Sequence, residues 1–234
     1  MLARSSQHET VEALREQLKE KSIGSRCLFS SGLIGTLPMK FRRGAIVEYL
    51  ADPGSAATVV ALLTAREACR EGGALVVVDR LRTFYPPAAA RLGLNQDAII
   101  VHPRSSQDEL WALNQTLRCP GVAAVVSWPE RLSETAFRGL QLAAEHGGSV
   151  GLFLRSLSVR GKPSWSDTQL LVEALPGGKK RRLRIEAVRS RYGEVGVWEN
   201  VEFDDETSTL EATSDVSMVS SMASSAGTFG ASSA

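Results

Sequence analysis

The chain has 234 residues with 27 Lys and Arg against 26 Asp and Glu, long enough to bury a sizeable core without disulfides or metal and too neutral for a generic nucleic-acid coat. Its three cysteines (Cys27, Cys69, Cys119) and three histidines (His8, His102, His146) are scattered, which excludes a zinc-ligand pattern and suits a reducing compartment. No apolar run approaches the ~20 residues that span a bilayer and the polar N-terminus has no signal-peptide core, so a cytoplasmic protein without membrane contact is expected.

From Gln7 to Glu20 the apolar Val11, Leu14 and Leu18 recur at helical spacing, with Ser6 and Glu9 placed as a capping box. The stripe is narrow, so the helix either lies lightly on its own domain or docks on a partner. Gly24, Gly32 and Gly35 mark an irregular linker behind it. Short, near-continuous apolar runs follow at Ala45 to Leu50, Ala74 to Val78, Ala98 to Val101, Val122 to Val126 and Ser149 to Leu154. Runs without alternation are buried on both faces, which is the signature of parallel strands. Helical stretches separate them at Ala56 to Glu71, Pro86 to Leu92, Gln107 to Leu117 behind Ser106 as cap, and Glu134 to His146. Repeated β-α units predict a mostly parallel sheet with helices on both faces.

After Arg155 the pattern changes to alternating strands over Thr168 to Leu175, Arg181 to Arg189 and Val197 to Phe203, joined by turn-like PGGKK and RYGEVG. An antiparallel meander is expected there. The last residues, from Thr207, are rich in Ser, Thr, Ala and Gly and contain no Lys or Arg, the composition of a disordered tail. Three parts result: helix and linker over 1–24, an α/β core over 25–206, and a tail over 207–234.

A parallel sheet binds its ligand at the carboxyl ends of the strands, so the turn after Leu50 is the first place to look. A phosphate-binding loop requires G-x-x-x-x-G-K-[ST] there, with glycines to wrap the phosphates, Lys to neutralise them and a hydroxyl for magnesium. The chain reads Ala51, Asp52, Pro53, Gly54, Ser55, Ala56, Ala57, Thr58: alanines replace both glycines and the lysine, and only the hydroxyl remains. A bare helix N-terminus contributes only ~0.3 to 1 kcal/mol toward an anion, so ATP and magnesium binding should be weak or absent and no cofactor is expected.

From Asp79 to Gly93 the stretch VVVDRLRTFYPPAAARLGL resembles the segment behind the phosphate loop of RecA recombinases, and LPMKFRRGAIVEYLADPGSAAT resembles their lead-in strand and loop. Within that superfamily RLGLNQDAIIVHPRSSQDELWALNQTLRCPGVAAVV, LQLAAEHGGSVGLFLR and LRIEAVRSRYGEVGVWENVEF resemble ImuA-like proteins, components of bacterial damage-induced mutagenesis. The resemblance implies a RecA-like P-loop NTPase core. It places the recombinase lysine on Ala57, the catalytic glutamate on Leu81, and the aspartate closing the fourth strand on Ser127 or Trp128. None of these side chains can neutralise phosphate, activate water or hold magnesium, which implies a fold without ATP turnover. Asp79 is expected to cap a helix, and Trp128 with Pro129 to fill the vacated nucleotide space.

Two basic features remain as candidates for single-stranded DNA. Gly177 to Arg191 holds seven Lys or Arg, among them Lys179, Lys180, Arg182 and Arg184, extendable by Lys40, Arg42 and Arg43; the alternative is a charged hairpin that protects a sheet edge. The segment Ser156 to Ser166 offers Arg160, Lys162 and Trp165, cations and an aromatic in a Gly-Pro loop at the position of a mobile DNA-binding loop in RecA recombinases; packing of Trp165 at the hairpin base is the structural alternative. Trp111 is expected in the core. The resemblance implies a non-catalytic adaptor between an ImuB-like polymerase subunit and an error-prone polymerase, with RecA and a second copy as further partners. The competing readings are a DNA-dependent ATPase, with Arg82 or Lys40 serving in place of the lysine, and a SulA-like cell-division inhibitor.

Overall fold

The computed structural model describes residues 28–30, 40–94, 98–191 and 195–213. The expected helix bearing Val11, Leu14 and Leu18 lies outside these residues, as does the tail from residue 214 onward.

Strands β1 (Leu28–Ser30) and β2 (Lys40–Arg42) pair antiparallel in a small sheet of their own. The main sheet follows from the apolar runs: β3 (Ile46–Ala51), β4 (Ala74–Val78), β5 (Ala98–Val101), β6 (Val122–Ser127) and β7 (Val150–Ser156), interleaved with α1 (Ala57–Cys69), α2 (Pro86–Arg91), α3 (Ser106–Arg118) and α4 (Glu134–Gly147). The alternating strands are β8 (Thr168–Leu175), β9 (Arg181–Ser190), β10 (Trp198–Asp204) and β11 (Thr209–Ala212). The order is β11-β10-β9-β8-β3-β7-β6-β4-β5, parallel from β8 to β5 and antiparallel from β8 to β11. The meander therefore continues the parallel sheet as one surface.

Two apolar clusters lie on opposite faces. One joins Val60, Leu62 and Leu63 of α1 to Val47, Tyr49, Val77 and Leu152, and runs on beneath the meander to Leu183, Ile185 and Phe203. The other joins Leu113 and Leu117 of α3 and Phe137 and Leu140 of α4 to Ile46, Val76, Val125 and Phe153. Residues alternate between these clusters along each parallel strand, which explains the lack of alternation in hydropathy. Helix α4 ends on Gly148 in the left-handed region at φ 74°, and its last residue admits no side chain, because a Cβ on Gly147 would collide with the Leu117 carbonyl at the end of α3.

Three expectations are corrected. Helix α3 is capped by Ser105, whose hydroxyl accepts from the Asp108 N–H, one residue before the expected Ser106. Trp111 is 67% exposed; Glu109, Ala112, Leu113 and Leu117 claim the inner face of α3, and position 111 falls opposite them. The tail does not begin at 207, since Thr209–Ala212 adds β11 to the sheet against β10 with Leu210 opposite Phe203. Among the described residues no helix is long and apolar enough to cross a membrane.

Candidate functional site at the carboxyl edge of the parallel strands

The turn after β3, the loop after β4, the Trp128–Arg131 turn after β6 and the end of β7 enclose a cleft of about 610 Å³. This is where a parallel sheet binds its ligand. The 51–58 loop forms its floor, with Asp52, Pro53, Gly54, Ser55, Ala57 and Thr58 all lining it. The Ser55 N–H donates to the Asp52 carbonyl at 3.1 Å and Gly54 sits at φ 81°, so the loop is a tight turn rather than an extended phosphate cradle.

Ala57 is the first residue of α1 and is buried. Among the described residues the cations lining the cleft are Arg131 and Arg155; Arg82, one of the two substitutes an ATPase would need, is not among them, and the side chain of Lys40, the other, lies outside the described residues. Arg155 is bound to Glu48 at 2.9 Å, a carboxylate fully buried in β3. Leu81 lines the cleft half-exposed, and Trp128 and Pro129 stand across from the 51–58 loop without filling the space. Ser127 is buried and donates to the Val78 carbonyl at 2.8 Å, tying β6 to β4 instead of facing a ligand.

The loop carrying Leu81 is held rigidly. Asp79 is buried, and its carboxylate accepts from the Phe84 N–H at 2.7 Å; the expected helix cap is corrected, since α2 starts behind Tyr85 with no side-chain cap. Phe84 then packs on Trp128 with ring centroids 6.0 Å apart. Between them Arg82 takes φ 56°, a left-handed conformation that a side chain adopts at a cost of about 1 kcal/mol or more. Arg80 pairs with Glu109 at 3.0 Å and with the cleft-lining Glu130 at 2.8 Å. Burial pushes the Glu109 carboxyl up, against the pull of Arg80.

The β7–β8 loop is tied down by Glu48, which accepts from Ser164 at 2.6 Å, Ser166 at 3.0 Å and Gln169 at 2.6 Å in addition to Arg155. Arg189 donates to the Ser164 carbonyl. Sequence reasoning passed over Glu48 because it sits inside the apolar run AIVEYL; a lone acid within a strand buried on both faces was itself a signal, since such a charge must be paired. On this loop Lys162 is exposed, Arg160 lies 3.9 Å from Glu186, and Trp165 stays 39% exposed under the guanidinium of Arg138 at 5.2 Å.

The basic hairpin lies elsewhere, on β9, and most of its cations face acids. Lys180 reaches Asp204 at 3.0 Å and Glu211 at 3.5 Å, Arg181 reaches Asp205 at 3.4 Å, and Arg182 reaches Glu202 at 3.6 Å. Arg184 stacks over Trp198 at 4.4 Å and donates to Asn200. Lys180 in turn holds the Asp204 carboxyl down to about 2, with the Thr207 and Glu206 N–H groups helping. Lys179 is exposed at the turn. Strand β9 also touches the β7–β8 loop, through Glu186 at 3.9 Å from Arg160 and through Arg189 to the Ser164 carbonyl. Among the described residues no cluster of His, Cys, Asp and Glu is suited to hold a metal ion.

No protein-family model matches the chain. It is 34% identical to Protein ImuA of Caulobacter vibrioides (strain NA1000 / CB15N) over 147 residues, 55% of this chain and 60% of that protein. It is 31% identical to Protein RecA of Chlorobium limicola (strain DSM 245 / NBRC 103803 / 6330) over 110 residues, 47% of this chain and 30% of that protein. The match thus spans little more than half of one curated relative and under a third of the other. The crystal structure of the RadB recombinase superposes with a TM-score of 0.58 at 14% identity, covering 73% of this chain and 91% of that one, a likeness of fold. The chain is thus similar in sequence to Protein ImuA and Protein RecA over part of their lengths, and its fold is that of the RadB recombinase.

Proposed function

We propose that the chain is a non-catalytic RecA-like adaptor in the cytoplasmic response to DNA damage, supporting error-prone translesion synthesis through protein partners. The observation that carries this reading is the cleft. The buried Ala57 and the half-exposed Leu81 both line it, and in this reading, which rests on the resemblance to RecA recombinases, they stand for the loop's lysine and the carboxylate base. A triphosphate left with a helix dipole worth ~0.3 to 1 kcal/mol would not be retained, and water would not be activated. The ImuA relatives support the setting, damage-induced mutagenesis; an ImuB-like polymerase subunit, an error-prone polymerase and RecA are the partners this reading proposes.

Contact with single-stranded DNA falls to Arg160, Lys162 and Trp165 in this reading, because the β9 cations are largely spent on acids of β10 and β11. Val11, Leu14 and Leu18 are the proposed face for partner or self-association. Binding assays with purified ImuB-like and polymerase subunits, run beside an ATPase assay with single-stranded DNA, test the proposal. Stable complexes without ATP hydrolysis are expected. DNA-stimulated hydrolysis would replace it with the ATPase reading, and failure to bind any polymerase component would remove the adaptor.

A further inference from the structure

Among the described residues, Arg82, Arg104, Arg118, Arg131, Lys162 and Lys179 are exposed and make no side-chain hydrogen bond or ion pair. Lys162, Arg131, Arg82 and Arg104 follow β7, β6, β4 and β5, which are neighbours in that order. Each of these adjacent parallel strands therefore delivers one unpaired cation to the same edge of the sheet, a row of about 15 Å at the usual strand spacing. Contacts between the loops keep the row continuous. His102, just before Arg104, meets the Asp79 carbonyl at 2.9 Å; Arg80 reaches Glu130, next to Arg131, at 2.8 Å; and Arg131 lines the cleft together with Ser158 and Val159 of the Lys162 loop. The acids of these loops are largely engaged: Asp79 holds the Phe84 N–H, Glu109 and Glu130 hold Arg80, and Asp108 accepts from the Ser105 hydroxyl. Glu134 answers the N-terminus of α4, and Asp52 lines the cleft from the turn after β3, the strand at which the row stops.

Arg82 is the strained member of the row. Its φ of 56° lies in the left-handed region that glycine takes freely, and the grip of Asp79 on the Phe84 N–H holds the loop that imposes it. Exposed aromatic faces stand beside the row in both directions: Tyr85, 68% exposed, on the Arg82 loop, and Trp165, 39% exposed, on the Lys162 loop. Resting on the single-stranded DNA contact proposed above for the β7–β8 loop, we propose that this edge of the sheet is a phosphate track, along which Arg131, Arg82 and Arg104 carry the strand from Lys162 across the mouth of the cleft to the end of β5. Unpaired cations in a row suit a polymer that repeats its charge, and exposed aromatic faces suit one whose bases are free to stack, which those of a duplex are not. An acidic peptide matches the charge and leaves the aromatic faces unused.

The test is fluorescence anisotropy of a labelled oligo(dT) of about 20 nucleotides with the full chain over a salt series. Arg104→Ala and Arg131→Ala should each weaken binding about three- to tenfold at low salt and lower the salt slope by about 1. Arg82→Gly should do the same while its thermal midpoint holds or rises, because glycine relieves the backbone; a folding defect would lower affinity and midpoint together. Arg118→Ala, which removes an exposed unpaired cation at the far end of α3 by the opposite edge of the sheet, should change neither affinity nor slope. An unchanged slope in the other arginine variants, an equal fall in Arg118→Ala, or an Arg82→Gly protein that loses stability with affinity would overturn the track. So would a duplex bound as tightly as oligo(dT), or poly-glutamate that displaces it equally well at matched charge. Loss confined to Lys162→Ala and Trp165→Ala would leave DNA on the β7–β8 loop and overturn the track alone, whereas a wild type that binds no oligo(dT) at low salt would remove the DNA contact of the proposed function and the track with it.

Discussion

Arg155 donates to Glu48 at 2.9 Å from the neighbouring strand, and the carboxylate that receives it is fully buried. The same carboxylate holds Ser164, Ser166 and Gln169, so one side chain joins the wall of the cleft to the loop that carries Lys162 and Trp165. Removing it leaves a buried guanidinium without a counter-charge. Glu48→Ala should destabilise the domain by about 3–5 kcal/mol, whereas replacing Glu48 and Arg155 together by methionine should cost far less. Urea unfolding measures both, and hydrogen exchange in Ser158 to Ser166 should rise in the single variant. A loss under about 1 kcal/mol for Glu48→Ala would contradict this account of the pair.

Tyr49 and Thr64 predict an asymmetric pair of substitutions. The buried phenol donates to the Thr64 hydroxyl at 2.7 Å, which itself donates to the Val60 carbonyl, and burial pushes the phenol pKa up. Tyr49→Phe removes a donor from an already bonded hydroxyl and should cost about 0.5–1.5 kcal/mol; Thr64→Val strands the buried phenol and should cost about 1–3 kcal/mol. Thermal or urea unfolding should rank Thr64→Val as the less stable variant.

The strands were legible where the sequence expresses burial directly. Ala74 to Val78 and Ala98 to Val101 are continuous apolar runs that become strands with the same limits; the first is buried on both faces, whereas edge strand β5 leaves Ile99 half-exposed. Strand β11 was not legible: TLEA lies in a polar, low-complexity stretch, and its place comes from pairing with β10. Trp111 was misread because size alone suggests burial, while the helical phase set by Leu113 and Leu117 turns it outward. The β9 stripe looked free because its partners, Asp204, Asp205, Glu202 and Glu211, lie across strand pairs that a local reading does not register. At the cleft the sequence pointed to the 51–58 turn, which does line it, but the cations that stand there, Arg131 and Arg155, are assembled by the topology from separate strand ends.

The same pairing predicts where single-stranded DNA loosens its hold. If phosphate contacts are made by the β7–β8 loop, Lys162→Ala should lower the salt slope of binding by about 1 and Trp165→Ala should weaken binding by about 1–3 kcal/mol with the slope unchanged. Lys180→Ala and Arg182→Ala should alter neither. Fluorescence anisotropy over a salt series separates these outcomes, and a slope that falls with the β9 variants instead would assign DNA to the hairpin.

Asp204 gives a pH signature. Lys180 and the Thr207 and Glu206 N–H groups hold its folded-state pKa down to about 2, below the ordinary carboxylate value, so its contribution is present above the unfolded value and is lost as pH falls toward 2. Wild type should therefore be more stable than Asp204→Ala at pH 6, with the gap closing between about pH 4 and 2. Unfolding midpoints measured over that range check the sign; a gap that widened on acidification would refute it.

The most direct test of the account is an equilibrium titration of the full chain with a fluorescent ATP analogue and magnesium, with and without single-stranded DNA. With Ala57 and Leu81 standing for the lysine and the carboxylate, as the proposed function has it, no saturable binding is expected up to millimolar nucleotide, whether or not DNA is present. Micromolar binding that DNA strengthens would contradict it and make nucleotide the occupant of the cleft.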